Sequence, residues 1–229
     1  MRLAAATWPE VDRHVRELLV VPLGSLEQHG PHLPLRTDTL VAEAVSQRVH
    51  ENRPGSGLAP AIAIGASGEH ADFPGTLSIG TDALCHLLVE LVRHATLHWP
   101  GVLVLNGHGG NLAAVRQAAE RCAAEGRALE VVTLGLPGMD AHAGRAETSM
   151  LLHLAPSEVR LDLAEAGRTE PIAELLPVMV EHGVRAVSPN GVLGDPAGAS
   201  EEEGAELVDG LVRLALAGYD RAVAATRQG

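Results

Sequence analysis

The chain has 229 residues, a length that favours one domain spanning residues 1–229 with a core large enough to fold without disulfides. Its formal net charge of -12, from 29 acidic and 17 basic residues, argues against binding to nucleic acid or to an anionic membrane surface. No apolar run approaches the roughly 18–20 residues of a membrane span, and acidic residues interrupt the first segment where a signal peptide needs apolar ones, so we expect a cytoplasmic protein.

Short apolar segments alternate along the chain with longer amphipathic ones. The apolar segments predict buried strands at Leu18–Leu23, Leu58–Ile64, Val102–Leu105 and Leu129–Leu134. The amphipathic segments predict helices at Thr39–Glu51, Asp82–Trp99, Asn111–Glu125, Glu147–Leu154 and Glu201–Thr226. This alternation predicts an α/β fold with a mostly parallel sheet and helices on both faces. Sheets of this kind carry their chemistry in the loops at the carboxyl ends of the strands.

The loop after the first strand, Gly24–Asp38, carries two carboxylates and an imidazole. Its glycine and prolines exclude a helix, so Glu27 and His29, two positions apart in extended chain, are expected on one side. Carboxylates and imidazoles are ligands of Zn, Mn and Fe(II). Each residue also has a simpler interpretation: Asp38 or Thr37 as a helix N-cap, Glu27 as a solvated acid and His29 as a turn residue.

The loop after the third strand reads NGHGGN over residues 106–111 and presents His108 among three glycines. Glycines let the backbone approach a ligand closely, so His108 is a candidate metal ligand. The glycines are equally compatible with an anion-binding nest at the start of the next helix. The chain has no lysine, which weakens a phosphate-binding interpretation.

Two further polar clusters follow the second and fourth strands. Residues 140–149 supply His142 and Glu147, and residues 65–76 supply Glu69 and His70. A glutamate in a first helical turn is often only a partner of the helix dipole, and Asp140 is a common type of turn residue. The repeated position of these clusters after strands nevertheless favours one shared site.

Five blocks of sequence, in order and spacing, resemble the creatininase family of metal-dependent amidohydrolases: GSLEQHGPHLPLRTD, GASGEHADFPGT, NGHGGN, HAGRAETS and GVLGDPAGA. The resemblance extends from about Val20 to the final helix. It implies a three-layer α/β/α sandwich and assembly into a homo-oligomer.

The resemblance also implies a site for two divalent metal ions, Fe(II), Zn or Mn, with Asp38 bridging them. The implied ligands are Glu27, His29, Asp38, His108 and Glu147. His142 matches the family's catalytic histidine, Glu147 stays open between a ligand and a catalytic role, and His70, Glu69 and His32 are candidate substrate contacts. Creatininase itself carries a glutamate two residues after the histidine of the NGH block, where this chain has Gly110. This difference argues against creatinine as the substrate.

Within the family, the likeness is to peptidases that remove a C-terminal Val-Tyr dipeptide from a modified, ribosomally made precursor peptide. We therefore expect a metal-dependent peptidase with a modified precursor peptide as its substrate. One alternative is a hydrolase of a small cyclic or formyl amide, such as creatinine or a formylaminopyrimidine. A second is a non-catalytic module that binds an anion at helix N-termini.

Overall fold

The computed structural model describes residues 1–227, so the last two residues of the predicted domain, 228 and 229, lie outside the described part. Four parallel strands form one sheet in the order β2-β1-β3-β4, with β1 at Leu18–Leu23, β2 at Gly57–Leu58, β3 at Gly101–Asn106 and β4 at Leu129–Thr133. Around it lie α1 (Trp8–Arg13), α2 (Thr37–Asn52), α3 (Thr81–Ala95), α4 (Leu112–Ala124), α5 (Arg145–Leu154), α6 (Ile172–His182), α7 (Val184–Val187) and α8 (Glu201–Thr226).

The side chains of β1 alternate between two cores, because successive residues of a strand point to opposite faces of the sheet. Leu18 and Val20 are fully buried in a core shared with α2, α5 and α8. Leu19 and Val21 pack on the other face, in a core shared with α3 and α4. Helices thus cover both faces, and the predicted three-layer α/β/α architecture with a parallel sheet is confirmed.

The strand order positions the site. β1 and β3 are neighbours in register from Leu18 opposite Gly101 to Leu23 opposite Asn106, so their carboxyl ends meet at one edge. From β1 the chain continues to β2 on one side, whereas β3 leads to β4 on the other. The loops after β1 and β3 diverge from this point and leave a crevice between them, which is where parallel α/β sheets bind ligands.

The second predicted strand, Leu58–Ile64, is wrong over most of its length, since only Gly57 and Leu58 belong to β2. Pro60 has no N–H to donate to a neighbouring strand. The chain still follows β1 through single hydrogen bonds, including Ile62 N to Pro22 O at 2.9 Å. The apolar pattern therefore predicted correctly that this segment lies beside the sheet, but the segment lacks the backbone N–H donors that a full strand needs.

The helix predictions hold, with shifted ends. α3 stops at Ala95 and not at Trp99, because the N–H of Leu97 bonds three residues back, to His94 O at 3.2 Å, and Pro100 disfavours helix in the residue before it. α4 ends near Gly126, which adopts the expected left-handed conformation with φ 69°. The α8 prediction, Glu201–Thr226, matches the structure at both ends. Within residues 1–227, none of the helices is both long and apolar enough for a bilayer span.

Candidate metal centre

The candidate ligands predicted from three separate loops converge at the carboxyl edge of the sheet. Ligand atoms of Glu27, Asp38 and His108 all lie within 4.8 Å of one another, and so do those of His29, Asp38 and Glu147. Asp38 belongs to both of these groups. Glu27, His29 and His142 form a third group within the same distance. We call the set Glu27, His29, Asp38, His108 and Glu147 the ligand cluster.

Glycine at position 24 allows the first turn of α2 to lie against the end of β1. A Cβ at Gly24 would lie 2.5 Å from the Cα of Thr39, a backbone atom that has no room to move away. Thr39 Oγ1 in turn donates to Ser25 O at 2.9 Å. This close approach places Asp38 inside the cluster, where Ser25 Oγ donates to Asp38 Oδ2 at 2.7 Å.

Asp38 does not cap α2, because the helix begins at Thr37 and its N-cap residue is Arg36. Its carboxylate lies between two imidazoles, with Oδ1 3.1 Å from His29 Nε2 and Oδ2 3.2 Å from His108 Nδ1. A carboxylate with one oxygen directed to each side has the arrangement needed to bridge two cations.

His29 is oriented by the backbone of its own loop. Its Nδ1 donates to the carbonyl of Glu27 at 3.1 Å, which leaves Nε2 as the atom directed into the cluster. There Nε2 lies 3.1 Å from Asp38 Oδ1 and 3.9 Å from Glu147 Oε2. A histidine fixed at one nitrogen and directed at carboxylates with the other is arranged as metal-ligating histidines usually are.

The surroundings of the Glu27 carboxylate indicate whether the cluster fits a cation. Its side chain is fully buried, and neither carboxylate oxygen receives a hydrogen bond from any residue in 1–227, although His108 Nε2 lies 3.0 Å from Oε2. A buried carboxylate without donors is costly in free energy unless a positive charge compensates it. The oxygen and imidazole donors of the cluster suit divalent Zn, Mn or Fe(II), so the residues fit such ions.

The backbone around Ala143 holds Glu147 in place. Ala143 is fully buried and adopts a left-handed conformation with φ 54°, unusual for a residue other than glycine. Its N–H donates to Glu147 Oε2 at 2.6 Å. Asp140 accepts the N–H of Arg145 and, at 3.0 Å, that of Ala146, so it is the turn residue that the sequence suggested and it also binds the first N–H groups of α5.

Burial and neighbouring charges raise the pKa values of four groups in the ligand cluster. Burial raises the pKa values of Glu27 and Glu147 to about 7. Burial also opposes charge on His29, but the carboxylates of Asp38, Glu147 and Glu27 outweigh it and raise the pKa of His29 to about 10. The same opposition between burial and carboxylates holds the pKa of His108 well above its ordinary value.

His70 and His142 lie beside the cluster and are held neutral. Burial lowers the pKa of His70 to about 4, and burial together with the positive charge on His29 holds the pKa of His142 well below its ordinary value. His142 donates from Nε2 to Gln28 O at 2.8 Å, so its Nδ1 is free and lies 3.7 Å from Glu27 Oε1. His142 therefore has an unprotonated nitrogen available to accept a proton.

A cavity of about 780 Å³ opens beside the cluster. His70, His108 and His142 line it together with Glu69, whose Oε1 lies 3.4 Å from His108 Nε2. His32, also predicted near the substrate, is fully buried and donates from Nε2 to Thr148 Oγ1 at 2.9 Å. Glu69 and His70 thus face a cavity that ligands can enter, whereas His32 lies in the interior.

Two residues that connect these loops were missed at the level of sequence. Gln28 donates from Nε2 to Gly191 O at 3.0 Å and to His70 Nδ1 at 2.9 Å. Asn111 donates to Gly24 O at 3.0 Å and accepts the N–H of Ala66 at 2.8 Å, which joins three loops. Both residues stand inside the blocks EQH and NGHGGN, and their position beside the candidate ligands was the available signal.

Comparison with known proteins shows which family this chain resembles. The chain is 48% identical over 219 residues to the mycofactocin precursor peptide peptidase of Mycobacterium ulcerans (strain Agy99), covering 90% of this chain and 84% of the relative. It is 31% identical to the creatinine amidohydrolase of Pseudomonas putida, covering 86% and 88% of the two chains.

Solved creatininase structures share the fold. A mutant creatininase described as the Zn-Zn type aligns with a TM-score of 0.79 at 26% identity, covering 96% of this chain and 97% of the other. A structure described as creatininase Mn aligns with a TM-score of 0.77 at 26% identity, covering 96% of each. The family model described as creatinine amidohydrolase matches residues 4–217. The chain therefore belongs to the creatininase family.

Proposed function

We propose that this protein is a metal-dependent peptidase that releases the C-terminal Val-Tyr dipeptide from the modified mycofactocin precursor peptide. The observation that carries this proposal is the ligand cluster next to a cavity of about 780 Å³, a volume typical of sites for drug-sized ligands. The relationship to mycofactocin precursor peptide peptidases over 90% of the chain supports the choice of substrate.

The proposed metal site uses the two ligand groups that contain Asp38. Glu27, Asp38 and His108 would hold one divalent ion, and His29, Asp38 and Glu147 would hold the second, with Asp38 shared. Bound divalent ions supply Lewis acidity that polarises a carbonyl and lowers the pKa of a bound water toward about 7. We assign Glu147 to the second group because its Oε2 lies 3.9 Å from His29 Nε2.

His142 is the proposed proton carrier. Its Nδ1 is unprotonated and faces the cluster, while Gln28 O fixes the opposite ring nitrogen. From this position His142 can take a proton from water as the amide is attacked and transfer it to the nitrogen of the departing amine. A positioned acid or base of this kind contributes roughly 10²–10⁴ to the rate.

Glu69 and His70 are the proposed substrate contacts on the cavity side. Both line the cavity and belong to the 3₁₀ turn Gly68–His70. The Glu69 carboxylate can accept an N–H of the bound peptide. His70 is held at Nδ1 by the amide of Gln28, which leaves its Nε2 3.3 Å from Glu27 Oε1.

The direct test is hydrolysis by protein loaded with Zn, Mn or Fe(II). We expect cleavage of a synthetic peptide with the C-terminal sequence of the precursor, and no turnover of creatinine. Asp38→Ala and His108→Ala should each remove both metal content and cleavage, whereas Glu90→Ala, on an exposed face of α3, should retain both. Turnover of creatinine alone would identify a cyclic amide hydrolase, and wild-type protein without stoichiometric metal would favour an anion-binding module.

A further inference from the structure

Helix α6 presents an apolar face to the cavity. Ile172, Leu176 and Val180 follow one another at intervals of four residues and line the cavity together with Met179. We call these four residues the α6 wall. Three of them are exposed, Ile172 at 42%, Leu176 at 50% and Val180 at 80%. Residues spaced by three and four lie on one helix face, so the wall is a continuous apolar surface.

The α6 wall is held in place by a small core of its own. Leu175, next to Leu176 in sequence but 6% exposed, packs with Val184, Val187 and Leu193. Met179, one turn after Leu175, also packs against this core, so the side of α6 next to the wall is buried and fixes the orientation of Leu176 and its neighbours. Leu112, 50% exposed at the start of α4, adds an apolar side chain from a second element to the cavity lining.

The end of α6 also contacts the turn that carries Glu69 and His70. Gly183, with φ 77°, follows α6, and a Cβ at this position would lie 3.1 Å from Glu69 O. The wall and the imidazoles of the site are therefore parts of one cavity with a fixed spacing. A ligand that reaches His142 lies in the same cavity as the α6 wall and can contact both.

The chemistry of the lining selects the class of group that α6 can bind. The polar part includes the carboxylates of Glu69, Asp72 and Glu181, and none of the described lining residues is an arginine. These three carboxylates disfavour an acidic side chain beside them, whereas the histidines of the lining, among them His108 and His182, lie elsewhere around the cavity. Apolar side chains gain free energy when they are removed from water against such a wall. A contiguous exposed apolar patch is also a recognised sign of a binding site.

We propose that the α6 wall binds the apolar side chains next to the scissile amide and thereby restricts the substrates to peptides with apolar or aromatic residues at that end. This proposal rests on the proposed function and specifies which side chains the peptidase selects. It assigns specificity to Leu176 and its neighbours, and it leaves the chemical step to the ligand cluster and His142.

The test compares two neighbouring positions of one helix. Leu176 lines the cavity, whereas Val178, 43% exposed on α6, is not among its described lining residues. We would measure cleavage of two peptides of equal length that end in Val-Tyr or in Ala-Ala. Leu176→Asn should lower the ratio of kcat/KM for these peptides by about tenfold or more, through KM, because hydrophobic pockets discriminate by this order. Val178→Asn should leave the ratio within about twofold.

Further measurements keep the outcomes separate. Ile172→Asn should act like Leu176→Asn, and thermal unfolding and metal content should match the wild type in all three variants. Calorimetric binding of the free dipeptides Val-Tyr and Ala-Ala tests the wall even when no peptide is cleaved. Loss of cleavage with Leu176-dependent binding would reject the proposed function alone. The proposal would be overturned if the Leu176 and Val178 variants had equal ratios of kcat/KM and equal dipeptide binding. It would also be overturned if Leu176→Asn changed only the mass of the protein in solution, that is, its oligomeric state.

Discussion

Glu27 and His108 face each other in the ligand cluster, with 3.0 Å between Glu27 Oε2 and His108 Nε2, and yet Glu27 receives no hydrogen bond from the described residues. The two residues come from different loops, one after β1 and the other after β3. Their meeting follows from the parallel pairing of these strands, which brings Leu23 and Asn106 side by side. The contact thus links the sheet topology directly to the proposed chemistry.

The first prediction concerns the cost of burying Glu27. Glu27→Gln removes a buried charge and keeps the shape, so the metal-free variant should unfold at a temperature equal to or above that of the metal-free wild type. The wild type should gain about 2.7 kcal/mol when the free ion is at 100 times its Kd, and the variant should lose this gain. Thermal unfolding with and without Zn or Mn measures both effects.

Glu90→Gln, on the exposed part of α3, is the control and should respond to metal as the wild type does. A Glu27→Gln protein that is still stabilised by the ion to the same extent would show that Glu27 is not a ligand.

The second prediction compares two adjacent glycines. A Cβ at Gly110 would lie 2.4 Å from both Ala66 O and His108 Nε2, whereas one at Gly109 would meet nothing within 4 Å. Gly110→Ala should therefore displace His108 and reduce metal content and turnover together. Gly109→Ala should leave both near wild type. Metal analysis and peptide cleavage of the two variants check this, and equal behaviour of the pair would contradict it.

Much of the fold was accessible from the sequence because buried parallel strands are continuous apolar segments. Leu18–Leu23 and Glu201–Thr226 were predicted with the bounds that the structure has. The segment after Leu58 failed because an apolar sequence does not reveal whether its N–H groups have partners, and Pro60 removes one. Helix α6 was not predicted, since Pro177 within it and the glycines around it obscure the helical pattern.

The sequence predicted the candidate ligands of the site better than it predicted the packing of the loops around them. The position of Glu27, His108 and Glu147 after separate strands predicted that they would meet, because parallel strands share one edge for their carboxyl ends. The cavity-facing position of Glu69 and the interior position of His32 depend on how the loops pack. Residue spacing carries no information on such packing. For the same reason Gln28 was missed, since alternation along an extended chain directs it away from Glu27 and His29.

The third prediction concerns protons released when metal binds. The pKa values of Glu27 and Glu147 are raised to about 7, so below this pH the metal-free site holds protons on them that ligation must displace. As the pH increases through about 7, these two carboxyl groups lose their protons before metal binds, so metal binding has fewer protons left to release. Proton release should thus be larger at pH about 6 than at pH about 8, and the affinity for metal should rise over the same interval.

Calorimetric titration with Zn or Mn in two buffers of different ionisation enthalpy measures this release. His29, with a pKa of about 10, is protonated at both pH values. It therefore releases a proton at both and does not change the difference in proton release between pH about 6 and pH about 8. Release that is equal at the two pH values would mean that the carboxyl groups of Glu27 and Glu147 are not displaced from their protonated forms by the ion.

The last prediction separates proton transfer from metal binding. His142 Nδ1 lies 3.7 Å from Glu27 Oε1, whereas Asp38 contacts both His29 and His108 within 3.2 Å. His142→Asn should lower kcat by roughly 10²–10⁴ and keep the metal content, because it removes the group that accepts and donates the proton. Asp38→Asn should lose metal content as well as turnover. Metal analysis beside single-turnover cleavage distinguishes the two variants, and a His142→Asn protein depleted of metal would make His142 a ligand, not the proton carrier.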